Sequence, residues 1–370
     1  MHEGVEADRL AVIIFRGVLW YTTVMNCDVV TIGTATKDVF LQSQYFKVLR
    51  DPEHLKKLGF REGVAECFAF GSKIDVENPV FTVGGGAANS AVTFARSGFK
   101  TTAVMSLGKD EDGRAVVEYL HREKVISVAS FNKTKHTAYS TILLSPAGER
   151  TVLVGRGAAD ELPKHAISLT RVKPKWAYIA PGAISFNTIQ GLIASAHLAG
   201  SKVAINPSGH YIKFGIQRLA PILAKADVVI MNRSEASVLT HTAFENERAI
   251  FKKLASAVSG IAVMTDGAKG VLVSDRTSIF RAGIFPEKKL VDRTGAGDAF
   301  GSGFVAGLIH KTAKTKGVMT PSAIEFAIRF GCANATSVVE QVGGTAGILS
   351  LKNFMSQSRW RRLPIHRTIL

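Results

Sequence analysis

Three features are scarce in these 370 residues. Cysteine occurs three times, as Cys27, Cys67 and Cys332. That is too few and too scattered for a disulfide framework or a zinc site, and it points to a reducing, cytoplasmic setting. Proline stands at 11 against 34 glycines, a balance that excludes a collagen-like or disordered chain. No uninterrupted apolar run reaches the roughly 20 residues of a membrane span. The nearest approach, Leu10–Met25, is broken by Arg16 and preceded by Glu3, Glu6 and Asp8. It fits neither a span nor a secretory leader, which needs a basic start and an uninterrupted core. Met25 stands just ahead of a strand pattern, so residues 1–24 are expected to be an N-terminal extension outside the fold.

Acids are scarce too. Forty-six Lys and Arg against 30 Asp and Glu leave a formal charge of +16. Part of the excess gathers at the end, where residues 311–370 carry nine basic side chains and two acidic ones. No arginine-rich block, zinc-ligand spacing or RNA-binding motif accompanies it, so neither nucleic acid nor membrane is an expected partner. A basic surface suits solubility or an anionic substrate.

With 46% hydrophobic and 21% charged residues, the chain can bury a full-sized core. From Asp28 onward, short β-branched runs alternate with longer amphipathic stretches. Strands are expected at Val29–Ile32, Thr101–Met105, Trp176–Ile179, Lys202–Ile205, Asp227–Met231, Ile261–Thr265 and Gly270–Val273. Helical patterns fall at Ala87–Arg96, Arg114–Lys124, Thr188–Leu198, Gln217–Lys225, Glu247–Val258, Asp298–His310 and Pro321–Glu340. Such alternation predicts an α/β fold with a mostly parallel sheet covered on both faces. Residues 25–350 read as one domain, followed by a basic C-terminal tail at 351–370. Two stretches break the rhythm, about 38–83 and 137–155. They are expected to form a small β lid over the strand ends, with edges suited to pairing into a homodimer.

The most informative segment is Val291-Asp292-Arg293-Thr294-Gly295-Ala296-Gly297-Asp298. Its small residues leave backbone N–H groups bare at a helix N-terminus, where orphan donors and the helix dipole favour an anion. Asp298 falls in the first turn. It is either an ordinary helix-start acid or a base that takes a proton from a hydroxyl attacking a phosphorus held by those N–H groups. A second glycine stretch, Gly84-Gly85-Gly86-Ala87-Ala88-Asn89, joins a strand to a helix. It is neither the dinucleotide fingerprint nor a Walker A loop.

Together the two segments resemble the ribokinase-like (PfkB) family of sugar and nucleoside kinases, from about Asp28 to Ile348. The resemblance implies a three-layer α/β/α sandwich and phosphoryl transfer with ATP and Mg2+. Asp298 then matches the catalytic base, and the N–H groups of Gly295, Ala296 and Gly297 match the anion hole. Gly85, Gly86 and Asn89 match the acceptor-binding element, and Asp38 matches the aspartate that holds sugar hydroxyls. Glu149 and Arg150 look like the lid turn of sugar kinases. On the nucleotide side, Asn206, Asn232, Glu235, Thr265 and Gly267 match family positions, and Asn334 matches a residue lining the adenine pocket. Asp292, Thr294 and Gly343 match a potassium (K+) loop, with Gly347 standing where many ribokinases carry serine.

The expected activity is therefore an ATP-dependent phosphotransferase acting on a hydroxyl of a small sugar. A nucleoside kinase of the same family is the alternative. From different classes come a non-catalytic sensor of the same fold, distinguished by ATP turnover, and a basic nucleic-acid binder, distinguished by salt-dependent duplex binding.

Overall fold

A computed structural model describes residues 13–14, 27–60, 63–145, 150–313, 315 and 317–370. Among them, one sheet has eleven strands in the spatial order Ile13–Ile14, Ile126–Asn132, Thr101–Gly108, Val29–Gly33, Trp176–Ala180, Lys202–Ile205, Val228–Asn232, Ile261–Thr265, Val271–Ser274, Ser278–Ala282 and Ile365–Ile369. The first eight run parallel, and from Ile261–Thr265 onward each neighbour is antiparallel.

Burial on both faces explains the apolar runs. Every residue of Val29–Gly33 and Trp176–Ala180 is buried, as a central parallel strand requires. Successive side chains leave a strand on opposite faces. Val30 and Ile32 accordingly pack with Leu192, Leu219 and Ile250 on one side. Val29 packs with Phe94, Phe304 and Ile324 on the other. The resulting layers are helix, sheet and helix. The expected strands at Lys202–Ile205 and Ile261–Thr265 occur with those bounds. The strands Ile126–Asn132 and Ser278–Ala282 were not among those expected.

Strand order reverses once, in the middle. The chain steps outward from Val29–Gly33 to Thr101–Gly108 and Ile126–Asn132, then returns to the other flank at Trp176–Ala180. Crossovers leaving in opposite directions open a crevice at the carboxyl ends of the two central strands, where open α/β sheets hold ligands.

Over that crevice stands a four-stranded sheet in the order Arg150–Gly155, Ala138–Leu144, Thr36–Gln42 and Glu77–Gly84. It occupies the stretches read as the lid. Phe40, Ile142 and Leu144 form its own small core with Val342. Among the described residues no helix is long and apolar enough to cross a membrane.

Both ends of the chain differ from expectation. Ile13–Ile14 pairs in parallel with Val128 and Ala129 at one sheet edge, so the N-terminal segment joins the sheet at these two residues. At the other edge, residues 351–370 are no loose tail. A helix at Leu351–Ser356 leads to Ile365–Ile369, which pairs with Ser278–Ala282. Leu351, Phe354, Trp360 and Leu363 are buried on the way. The basic count concealed this because Lys352, Arg361, Arg362 and Arg367 sit on exposed positions between apolar anchors, while Arg359 is half-buried and paired with Glu340.

Trp360 is 2% exposed and meets Phe285 edge to face at 5.2 Å between centroids. Trp360→Ala is expected to cost about 3–5 kcal/mol of stability, the usual range for emptying an aromatic core site, as measured by urea denaturation. A loss under about 1 kcal/mol would mean that the C-terminal segment packs only loosely.

Candidate active site

The loop ahead of the helix Ala296–Thr312 is built around Asp292. This carboxylate is 2% exposed. Its Oδ1 accepts from the Thr294 amide at 2.9 Å and the Thr294 hydroxyl at 2.7 Å. Its Oδ2 accepts from the Gly343 amide at 3.0 Å. The turn so held puts Gly295 at φ +76°, where a Cβ would lie 2.4 Å from the Cα of Gly344. Only glycine fits, and no side chain caps the helix that follows. The Ala296 amide turns back to the Arg293 carbonyl at 3.4 Å, and no side chain takes the N–H groups that follow, an open helix start of the kind that favours an anion.

Asp298 sits in that first turn and faces a second helix start. Gly85 at φ +91° turns the chain into the helix Gly86–Arg96, and the Gly86 amide donates to the Thr34 hydroxyl at 3.1 Å. One turn in, Asn89 Nδ2 donates to Asp298 Oδ2 at 2.9 Å. The Cβ that Gly86 lacks would lie 3.6 Å from Asp298 Oδ1, so this oxygen looks across the bare glycine. Burial pushes the Asp298 carboxyl above its usual range, opposed by the Asn89 hydrogen bond. The structure therefore brings Gly85, Gly86, Asn89 and Asp298 together. It gives Asn89 a contact that its motif did not suggest, a hydrogen bond that orients the Asp298 carboxylate. The amide oxygen of Asn89 is buried without a protein partner.

Asp38 reaches the same place from the lid. It is the third residue of Thr36–Gln42 and so belongs to a lid strand, not a turn. It is 5% exposed and accepts from the Thr36 hydroxyl at 2.7 Å. Burial raises its carboxyl, the Thr36 and Ser140 hydroxyls oppose the shift, and the charges of Asp292 and Asp298 add to it. Three carboxylates therefore share one field. Arg150, at the start of the lid's outer strand, brings its guanidinium to 3.8 Å from Asp292. Glu149 lies outside the described residues.

Against the same helix start lies a cleft of about 400 Å³ lined by Thr265, Gly267, Ala296, Gly297 and a run of largely apolar side chains. Asn206, Asn232 and Glu235 stand at the ends of the neighbouring strands and are not in its wall. Asn232 caps the helix Arg233–Leu239, accepting from the Glu235 amide at 2.8 Å, while Glu235 Oε2 accepts from the Asn232 amide at 2.9 Å. Burial raises the Glu235 carboxyl, the Asn232 amide opposes this, and the charge of Asp298 adds to it. Glu235 thus feels the charge of Asp298.

Asn334 is a correction. It is 0% exposed and absent from the cleft wall. Its Nδ2 donates to the Ala299 carbonyl at 2.8 Å, and its Oδ1 accepts from the Leu349 amide at 2.9 Å. It ties helices together inside the core. The cleft is lined instead by Cys332, Ala335, Thr336 and Val339. These are spaced i, i+3, i+4 and i+7, one face of a helix, and the spacing was available in the sequence. Arg293 and Phe300 also line the cleft and escaped notice.

A family model described as pfkB family carbohydrate kinase matches residues 60–350. A ribokinase of Haemophilus influenzae is 26% identical over 294 residues, covering 75% of this chain and 88% of that protein. An adenosine kinase of Schizophyllum commune is 26% identical over 263 residues, covering 63% of this chain and 75% of its own. A solved Arabidopsis thaliana ribokinase complexed with ribose and ATP has the same fold. Its TM-score is 0.69 at 20% identity, over 91% of this chain and 100% of that one.

Asn334→Ala strands the Ala299 carbonyl and the Leu349 amide in the core. The expected cost is about 1–3 kcal/mol for each group left unpaired, read by chemical denaturation, with binding in the cleft unchanged. A variant as stable as the parent would remove Asn334 from the core framework.

Proposed function

The chain belongs to the pfkB family of carbohydrate kinases, and on that premise we propose that it moves the γ-phosphoryl group of ATP to a hydroxyl of a small sugar. The observation that carries this reading is Asp298, oriented by Asn89 and placed in the first turn of an uncapped helix. A carboxylate raised by burial is a better proton acceptor than an exposed one, and the bare N–H groups beside it face the charge that develops on phosphorus. Asp298 takes the hydroxyl proton as the acceptor oxygen bonds to the γ-phosphorus. The bond from that phosphorus to the bridging oxygen breaks, and ADP leaves. Little covalent work falls to the protein, and positioning with charge stabilisation supplies most of the rate.

The cleft bordered by Thr265 and Gly267 suits the nucleotide base, since apolar walls with few polar groups are the usual lining of such a slot. Asp38 suits the acceptor, because a carboxylate accepts from two hydroxyls at once. Glu235 fits a magnesium-bearing nucleotide. One of its oxygens accepts the Asn232 amide, and the raised carboxyl would be relieved by a nearby cation. Magnesium, when bound, supplies neutralisation of the phosphate charge. The adenosine kinase relative keeps nucleosides among the acceptors to be tried. A panel of sugars and nucleosides with ATP and magnesium tests the proposal. Turnover on a sugar supports it, and no turnover on any acceptor sinks it.

Asp298→Asn should leave the fold intact and lower kcat on the order of 10²–10⁴, the range for losing a positioned general base. In the parent, kcat/KM should fall as pH drops through the raised carboxyl. That acid limb therefore lies above the value near 3.9 of an ordinary aspartate, and the variant should lack it.

Asp38→Ala should raise the acceptor KM and cost about 2–3 kcal/mol in acceptor kcat/KM, as expected for charge-assisted bonds to hydroxyls. The KM for ATP should change little. Steady-state kinetics with each substrate varied in turn decides, and a rise confined to the ATP KM would put the acceptor at the wrong end of the cleft.

A further inference from the structure

In the loop that resembles a potassium site, Asp292 spends most of its acceptor capacity on the loop itself. Both oxygens of Asp292 already accept hydrogen bonds, from the amide and hydroxyl of Thr294 and from the amide of Gly343. Oδ1 accepts two of them, which fills the two lone pairs of a carboxylate oxygen. Oδ2 accepts one, from Gly343, and keeps a lone pair for a positive partner. Asp292 lies in a negative setting, since its charge and that of Asp298 both act on Asp38. Among the described residues one basic side chain comes within ion-pair distance of this trio. It is Arg150, whose guanidinium lies 3.8 Å from Asp292 Oδ1.

Arg150 does not belong to the loop that it neutralises. It opens the strand Arg150–Gly155 of the lid and pairs in register with Leu144, whose side chain is buried in the lid's small core with Phe40 and Ile142. Its charge is therefore delivered by the lid, whereas a bound ion would come from solvent. Two like charges at one carboxylate repel, so a guanidinium in this place disfavours a monovalent cation beside it.

We propose that Arg150 is a positioning residue that takes the place of a monovalent cation at Asp292, so that the lid itself supplies the charge that steadies the anion-hole loop. The guanidinium holds Asp292, Asp292 holds Thr294 and Gly343, and these hold the Gly295 turn that exposes the first-turn N–H groups. The kinetic part of this inference rests on the kinase reading, whereas the binding part does not.

The test compares the full chain and Arg150→Gln in potassium and in tetramethylammonium chloride at equal ionic strength. Thermal unfolding without substrates comes first. The parent Tm should be the same in both salts, whereas the Tm of Arg150→Gln should rise specifically in potassium as the freed carboxylate takes the ion. Turnover follows. The parent should be indifferent to the salt. Arg150→Gln should lose about 10–100-fold in tetramethylammonium, the usual cost of removing a group that orients a site, and should recover with potassium or with added guanidinium ion. Arg150→Lys, which keeps the charge, should stay close to the parent.

A potassium-specific rise in the parent's own Tm overturns the proposal, whether or not the glutamine variant folds. An equal response to potassium in parent and variant overturns it as well. Because the unfolding measurement needs no acceptor, absence of turnover on every substrate would count against the kinase reading and leave the cation result standing.

Discussion

The hydrogen bond from Asn89 to Asp298 joins residues 209 positions apart, and the site is organised around it. Each partner sits in the first turn of a helix, and each helix begins at a glycine with positive φ. Two helix starts meet above the point where strand order reverses, so two positive dipole ends face one volume. Thr34 takes the first amides of Gly86–Arg96, whereas no side chain caps Ala296–Thr312. A carboxylate placed between them is desolvated yet electrostatically favoured. Its pKa is raised by burial while its negative form still has a donor in Asn89.

The surrounding charges follow from that arrangement. Asp38, Glu235 and Asp298 are each pushed upward by burial, and the charge of Asp298 reaches the other two. This local negative field lies in a chain of net charge +16. The long-range potential therefore attracts anions, while the short-range field discourages them from settling anywhere but on the bare helix end. Attraction from afar and discrimination nearby come from different residues and can change independently.

The glycine segments could be read from the sequence because their chemistry is local. A Gly-Ala-Gly turn running into Asp298 carries its own helix start, and Gly85-Gly86 followed by Asn89 carries another. The parallel strands were legible for a similar reason, since burial on both faces leaves continuous apolar runs such as Val29–Gly33. What was not legible depends on phase or on distant partners. Asn334 and Ala335 are neighbours in sequence, yet one ties the core and the other lines the cleft, because one step along a helix turns a side chain by about 100°. Ser278–Ala282 and Ile365–Ile369 become strands through each other. Nothing in either segment announces a partner across 80 residues of chain. Asn89 was placed by its motif, but its bond to Asp298 was not legible, because that carboxylate lies 209 positions away along the chain.

One edge strand of the central sheet, Ile365–Ile369, is made long after the strand it pairs with. Ser278–Ala282 waits as an open edge until Ile365–Ile369 arrives, and Phe285 stays exposed until Trp360 covers it. An uncovered strand edge beside apolar surface is the usual route to misassembly. Synthesis at about 5–20 residues per second leaves that edge open for several seconds after Ser278 has emerged. Completion of this edge thus waits on residues 365–369, and the parallel half built around Val29–Gly33 is free to form first.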